Sequence, residues 1–272
     1  MAWQRIGPGI AVSRPLGELR AAFARTDLFA LDLDECIFPR ISQETLGRRI
    51  ARRLLRRPAR ASDRRLFARL LVGGAYRALT KAKRLAGGLT PAARLIAWYE
   101  WTMRGVPEHY FVEAAGTLPR QSHALAAECI ALMAEHAPTG LATLGLDVVA
   151  RAYLEQVPGL TFFEANTLVF EPGPRGERVF AGYDPARLLA NGAAKRQSIE
   201  RRLTDTGAGV PTAVGHNEDD VPLARLARER GGLAIGFNPP PRLHDAFDAV
   251  VTGPDWEPMY ALVAILEGVK NE

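Results

Sequence analysis

Four short stretches carry side chains that could do chemistry together. Asp32-Leu33-Asp34-Glu35-Cys36 closes the apolar run LFALDL, and Thr143 closes GLAT. Lys195 sits near the start of GAAKRQSIERRL, and Gly215-His216-Asn217-Glu218-Asp219-Asp220 follows TAV. Closely spaced carboxylates can attack an electrophile or relay a proton. Where they crowd they also need a cation, and Mg²⁺ prefers oxygen ligands. A threonine hydroxyl and a lysine ammonium add a donor and a fixed positive charge for an anionic group. Two acids two residues apart are common by chance, so Asp32 and Asp34 alone mean little. Their weight comes from the four stretches taken together.

The elements that must hold these stretches are legible in the same way. Residues 28–33 form a short apolar run ending at acids, which fits a buried strand. From residue 140 strand and helix patterns alternate. GLATL reads as a strand and 147–155 as a helix, and TFFEANTLVFEPG and ERVFAGY are extended segments joined through the turn-rich PGPRG. A helix over 192–206, strand PTAVG, a helix over 220–229, strand GLAIGF, a short helix, strand AVVTG and a last helix near 256–267 complete the chain. This alternation predicts an α/β fold, a doubly wound, mostly parallel sheet covered on both faces. Such sheets place their active sites at the carboxyl ends of strands, which is where all four stretches fall. Between 41 and 137 the pattern is helical instead. Leu46, Ile50 and Leu54 recur at four-residue spacing, and further helical stretches lie at 62–86, 91–104, 107–117 and 120–136. The organisation expected is a core of residues 1–40 and 138–272 with an inserted all-helical cap, 41–137.

Together DLDxC, Thr143, GxxKxxxIExxL and the GxxxxDVPL loop resemble the four motifs of haloacid dehalogenase (HAD) superfamily phosphatases, in order and across nearly the whole core. The helical insertion between the first two motifs looks like the phosphoserine-phosphatase-like branch. The resemblance implies a Rossmann-like core and hydrolysis of a phosphate ester through an aspartyl-phosphate. It implies Asp32 as nucleophile, Asp34 as general acid/base, Thr143 as a hydrogen-bond donor to a phosphoryl oxygen, and Lys195 as neutralising charge. It also implies a Mg²⁺ ion on Asp32, Asp34 and the acids Asp219 and Asp220. The cap's amino-acid-recognising residues find no match here, so phosphoserine itself is not implied.

One position departs from the pattern. The residue after Gly215 is His216, where the family usually has an aspartate that holds magnesium. Imidazole is a poor Mg²⁺ ligand and a better one for transition metals. Asp219 or Asp220 then supplies the contact, His216 moves the preference towards Mn²⁺, or the chain is a non-catalytic relative that binds an anionic partner. Transfer of the phosphoryl group to an alcohol rather than water stays open beside hydrolysis. Cys36, where Thr or Val is common, reads as a small core filler.

Bulk properties bound the rest. With 272 residues, 47% hydrophobic and 24% charged, the chain can bury a full domain plus an insertion. No stretch approaches the roughly 18 apolar residues of a membrane span, and the N-terminus does not read as a signal peptide. Cys36 and Cys129 are too few and too far apart for a disulfide framework, so the expected compartment is the cytoplasm. The net charge of +5 is local: residues 48–84 hold 14 Lys or Arg and one acid, Asp63, leaving the remainder near −8 by subtraction. That stretch reads as a solvated face, a surface drawing a small phosphorylated substrate, or a contact for an anionic membrane or nucleic acid. No RNA-binding motif accompanies it. Trp98, Tyr99 and Trp101 read as cap core or as its inner lining.

Overall fold

The computed structural model describes residues 3–56, 61–85 and 92–268. Its centre is β3 (Leu28–Leu31), whose four side chains are all buried. A strand buried on both faces must be apolar throughout, and LFAL satisfies this. β3 runs parallel between β4 (Thr139–Leu146) and β8 (Pro211–Gly215), with Leu31 opposite Leu141 on one side and Val214 on the other. Outward from β8 lie β9 (Ala234–Phe237) and β10 (Ala249–Val251), both parallel, and outward from β4 lies β5 (Leu160–Asn166). A hairpin of β1 (Gln4–Gly7) and β2 (Ile10–Val12) adds an antiparallel edge against β10. The full order is β1-β2-β10-β9-β8-β3-β4-β5. The mostly parallel, doubly wound sheet read from the sequence is therefore present, with an N-terminal edge that the reading did not contain.

Helices cover both faces. α1 (Leu16–Phe23) and α10 (Glu257–Glu267) pack together on one side, and α8 (Gly192–Thr206) and α9 (Val221–Glu229) pack together on the other. α7 (Asp147–Gln156) joins β4 to β5. The insertion comprises α2 (Ser42–Arg56), α3 (Ala61–Leu85), α4 (Ala92–Met103) and α5 (Glu108–Ala115). α2 packs against both α3 and α5 through its buried Leu46, Ile50 and Leu54 stripe.

Two features lie at the margins of the inserted helices. α6 (Ala126–His136) packs against α10, β4 and β5, so it is a layer of the core. Conversely, β6 (Leu168–Pro172) and β7 (Arg178–Tyr183) form a separate antiparallel hairpin that reaches the inserted helices. Phe180 N donates to Val106 O at 2.9 Å, Gly105 N donates to Phe180 O at 2.8 Å, and the Phe180 ring meets Phe111 and Tyr99. The inserted layer is thus helices completed by a β hairpin, because β7 gives the aromatic side chains of α4 and α5 an apolar surface on which to close.

Candidate active site

Asp32 is the first residue beyond β3, and its backbone N–H donates to Val214 O at 2.9 Å, continuing the ladder by one bond. The chain then turns sharply: Cys36, Ile37 and Phe38 all donate backbone bonds to Leu33 O, and Glu35 takes a left-handed conformation with φ 58°. Trp256 Nε1 donates to Cys36 O at 2.8 Å and fixes the turn against the core. Cys36 is fully buried, as its reading as filler expects.

Three other segments meet Asp32. Lys195 lies one turn into α8, whose start is held by the Asn191 side chain accepting from Ala194 N and by Asp219 accepting from Gly192 N. A side chain at 192 would lie 2.2 Å from Asp219 O, so only glycine allows these segments to touch. Lys195 Nζ donates to Asp32 Oδ1 at 2.7 Å and to Asp220 Oδ1 at 2.5 Å. Asp220 folds back under its own loop, its Oδ2 accepting from the backbone of His216 at 2.7 Å and Asn217 at 3.1 Å. Gly215 permits this, since a Cβ there would meet Asp220 Cβ at 2.4 Å. His216 Nδ1 completes the ring, 3.1 Å from Asp32 Oδ2 and 3.3 Å from Asp220 Oδ2, with Nε2 3.7 Å from Glu35.

Asp34 and Thr143 stand a short way off. Asp34 Oδ1 accepts from Ser42 N at 2.9 Å, so the carboxylate also caps the start of α2. Thr143 Oγ1 accepts from Gly145 N at 3.0 Å, which leaves its own proton to donate elsewhere. A Cβ at Gly145 would lie 3.1 Å from Thr143 Oγ1, 3.5 Å from Ser42 Oγ and 3.7 Å from Asp34 Oδ2. These three polar groups therefore surround one small space that the glycine keeps open.

Burial sets the electrostatics. Asp32 is 5% and Lys195 1% exposed, so neither charge is screened by bulk water. Burial alone would lower the Lys195 pKa, but Asp220 and Asp32 outweigh it and hold the ammonium charged. Burial alone would raise Asp220, but Lys195 and His216 hold it well below the usual carboxylate range. Burial would likewise neutralise His216, yet its bonds to Asp220, Asp32 and Glu35 push its pKa up to about 11. The ring thus sets the Lys195 ammonium and the His216 imidazolium against the side chains of Asp32 and Asp220. Asp34 behaves differently. Burial raises it to about 7 against the lowering effect of its Ser42 bonds, so it exchanges a proton near neutrality.

Removing one cation from this ring should be costly. Lys195→Met leaves Asp32 and Asp220 facing each other with a single partner, and breaking a buried pair typically costs about 3–5 kcal/mol. Chemical denaturation should show that loss. A change within about 1 kcal/mol would mean that water reaches the ring and screens it.

Of the four residues expected to hold a metal, Asp32 and Asp220 converge, and His216 joins them; one ligand atom from each lies within 4.8 Å of the others. Asp34 and Asp219 do not belong to that group. Asp34 is turned to Ser42, and Asp219, exposed, is occupied at the start of α8. Two carboxylates and, once it has lost its proton, an imidazole would suit an ion that accepts mixed oxygen and nitrogen ligands, such as Mn²⁺, better than the octahedral oxygen set that Mg²⁺ demands. Ser42, Glu35 and Gly145 were missed in the sequence. Ser42 and Gly145 carry no motif signal, whereas Glu35 could have been noticed beside Asp34.

No protein-family model matches the chain, and no curated protein matches it by sequence. Solved structures do. A phosphoserine phosphatase in its apo form superposes with TM-score 0.62 at 15% identity, over 87% of this chain and 98% of its own. A probable phosphoserine phosphatase from Vibrio cholerae gives 0.64 at 14% identity, over 93% and 68%. A cytosolic 5'-nucleotidase IIIB bound to cytidine gives 0.63 at 15%, over 97% and 94%. At these identities the likeness shows the fold alone: a doubly wound, mostly parallel core carrying an inserted layer, as in these structures.

Proposed function

We propose that the chain is a HAD-type phosphatase that hydrolyses a small phosphorylated metabolite through an aspartyl-phosphate on Asp32. The observation that carries this reading is the pairing of a fixed, charge-compensated Asp32 with a neighbouring Asp34 whose proton is exchangeable near neutrality. Two carboxylates held in such different environments divide naturally into nucleophile and acid/base. In the first step an Asp32 oxygen bonds to phosphorus while the phosphorus–ester oxygen bond breaks, and Asp34 gives its proton to the leaving oxygen. In the second, Asp34 takes a proton from water as that water attacks phosphorus, and the bond from phosphorus to the Asp32 oxygen breaks. Thr143 would donate to a non-bridging oxygen, and Lys195 would neutralise charge shared between the phosphoryl group and Asp32. A divalent ion held by Asp32, Asp220 and His216 would add charge neutralisation at the same oxygens.

Asp32 is nearly covered, and the inserted helices would act as a lid that opens to admit substrate and then excludes water, as lids commonly do. Substrate choice would then reside in that layer. The two buried, free cysteines fit work in the cytoplasm.

The proposal is tested by assaying an aryl phosphate and a panel of phosphorylated metabolites with Mg²⁺, Mn²⁺ or EDTA. Rapid acid quenching should trap a phosphoryl group on Asp32 that hydroxylamine releases. Absence of turnover and of the adduct in folded protein would favour a catalytically degenerate, anion-binding relative, which the self-compensated ring of charges also suits. Transfer to an added alcohol would mark a phosphotransferase.

The pH dependence follows from Asp34. The first step needs it protonated, so its raised pKa keeps the acid available up to about 7 and removes it above. Phosphorylation of Asp32 by an alkyl phosphate should therefore fall as pH rises through neutrality, while an aryl phosphate with a good leaving group is far less sensitive. Asp34→Asn should slow alkyl ester turnover by about 10²-fold or more and allow the covalent intermediate to accumulate from the aryl ester. Equal losses on both esters, with no accumulation, would remove Asp34 from the acid/base role.

A further inference from the structure

The structure assigns a docking role to the outward face of α3: we propose that it rests on the surface of an anionic lipid bilayer. α3 spans 25 residues, about 37 Å of helix. Its inner side buries Leu66, Leu70 and Thr80, and Gly73 approaches Thr102 so closely that a Cβ would lie 2.3 Å from the threonine Cγ2. The opposite side should be polar if it met only water. Instead it presents Leu71 at 57% exposure, Val72 at 50% and Leu79 at 69%, with exposed Ala75 between them and exposed Ala68 and Ala82 on either side at helical spacing. Leu55, 62% exposed, points away from the buried stripe of the neighbouring α2 in the same manner. Large aliphatic side chains sharing one exposed face mark a contact surface.

Charge selects the occupant. The chain from 48 to 84, which contains most of α2 and all of α3 but its last residue, carries 14 Lys or Arg against one acid; Arg53 and Arg77 are paired with Glu113 and Glu44, while Arg64 and Arg65 on α3 are exposed. A second copy would bring the same positive surface against this one and be repelled. Nucleic acid would satisfy the cations but offers nothing to aliphatic side chains, since bases stack on aromatic ones. An anionic bilayer satisfies both, its headgroups meeting the basic side chains and its acyl boundary receiving the leucines. Among the described residues no helix is long and apolar enough to cross a membrane, so α3 would lie on the surface and not span it.

The test is flotation of the full chain with vesicles of phosphatidylcholine, alone or mixed with phosphatidylglycerol. Binding is expected to the mixed vesicles and not to phosphatidylcholine alone. Leu71→Ser with Leu79→Ser should lower partitioning about tenfold without altering charge or the thermal unfolding midpoint, because both residues are exposed. Failure to bind mixed vesicles would overturn the proposal, as would binding indifferent to the serine pair. Self-association abolished by the serine pair would assign the face to a second copy instead, and binding to RNA without binding to vesicles would assign it to nucleic acid. The readout is binding, so it stands or falls separately from phosphatase activity.

Discussion

Asp32→Asn is expected to reduce phosphate ester turnover by on the order of 10³-fold or more and to abolish the trapped covalent adduct. The amide is the same size and can still hydrogen-bond within the ring, so the fold should persist. What it loses is the anionic oxygen that would attack phosphorus. Lys195 donates to Oδ1 and His216 approaches Oδ2, so the carboxylate is held in one orientation from two directions. Such positioning matters because phosphoryl transfer depends chiefly on alignment and charge compensation. The variant would leave the ring with one net positive charge, so it should bind inorganic phosphate at least as well as the parent. Weaker phosphate binding together with lost turnover would indicate collapse of the ring, whereas turnover within about tenfold of the parent would remove Asp32 as nucleophile.

The parts of this site that the sequence discloses are those set by backbone pattern. LFAL before Asp32, GLAT ending at Thr143 and PTAVG before His216 are apolar because a central parallel strand is buried on both faces, and that requirement leaves a readable run. The α8 range, 192–206, is equally legible from Asn191 and Gly207 at its two ends. β1 and β2 went unread because strands of four and three residues at an edge need little hydrophobic pattern. α6 reads as a helix, but its sequence does not say which layer it joins. That depends on α10, more than a hundred residues away, and periodicity carries no such partner information. The metal group shows the same limit. Asp219 and Asp220 are adjacent and chemically identical in the sequence. Only the close approach of Gly192 and Gly215 to them decides that one caps α8 while the other enters the ring.

His216→Asp is the sharpest test of what this ring is built to hold. In the parent, a divalent ion at Asp32 and Asp220 must displace or deprotonate an imidazolium whose pKa lies near 11. Metal binding near neutral pH is therefore in competition with a proton, and Mn²⁺ affinity should rise with pH, with protons released on binding. Aspartate removes the competing positive charge and adds a negative one. Each unit charge about 4 Å from the ion is worth about 4 kcal/mol at an effective dielectric of 20, before desolvation and rearrangement take back part of it. A gain in Mg²⁺ affinity of about 10³-fold is the expected residue of that sum, measured by calorimetry in the absence of substrate. The same substitution has a cost in the metal-free protein. The raised pKa of His216 contributes stability that is complete below 6.5 and disappears as pH rises through about 11. Aspartate gives up that contribution and sets a third carboxylate beside Asp32 and Asp220, so the metal-free variant should unfold more easily than the parent and recover when Mg²⁺ is added. If Mg²⁺ affinity is unchanged and the metal-free variant is no less stable, then His216 neither blocks the ion nor balances the ring, and its ion pairs with Asp32 and Asp220 carry no net energy.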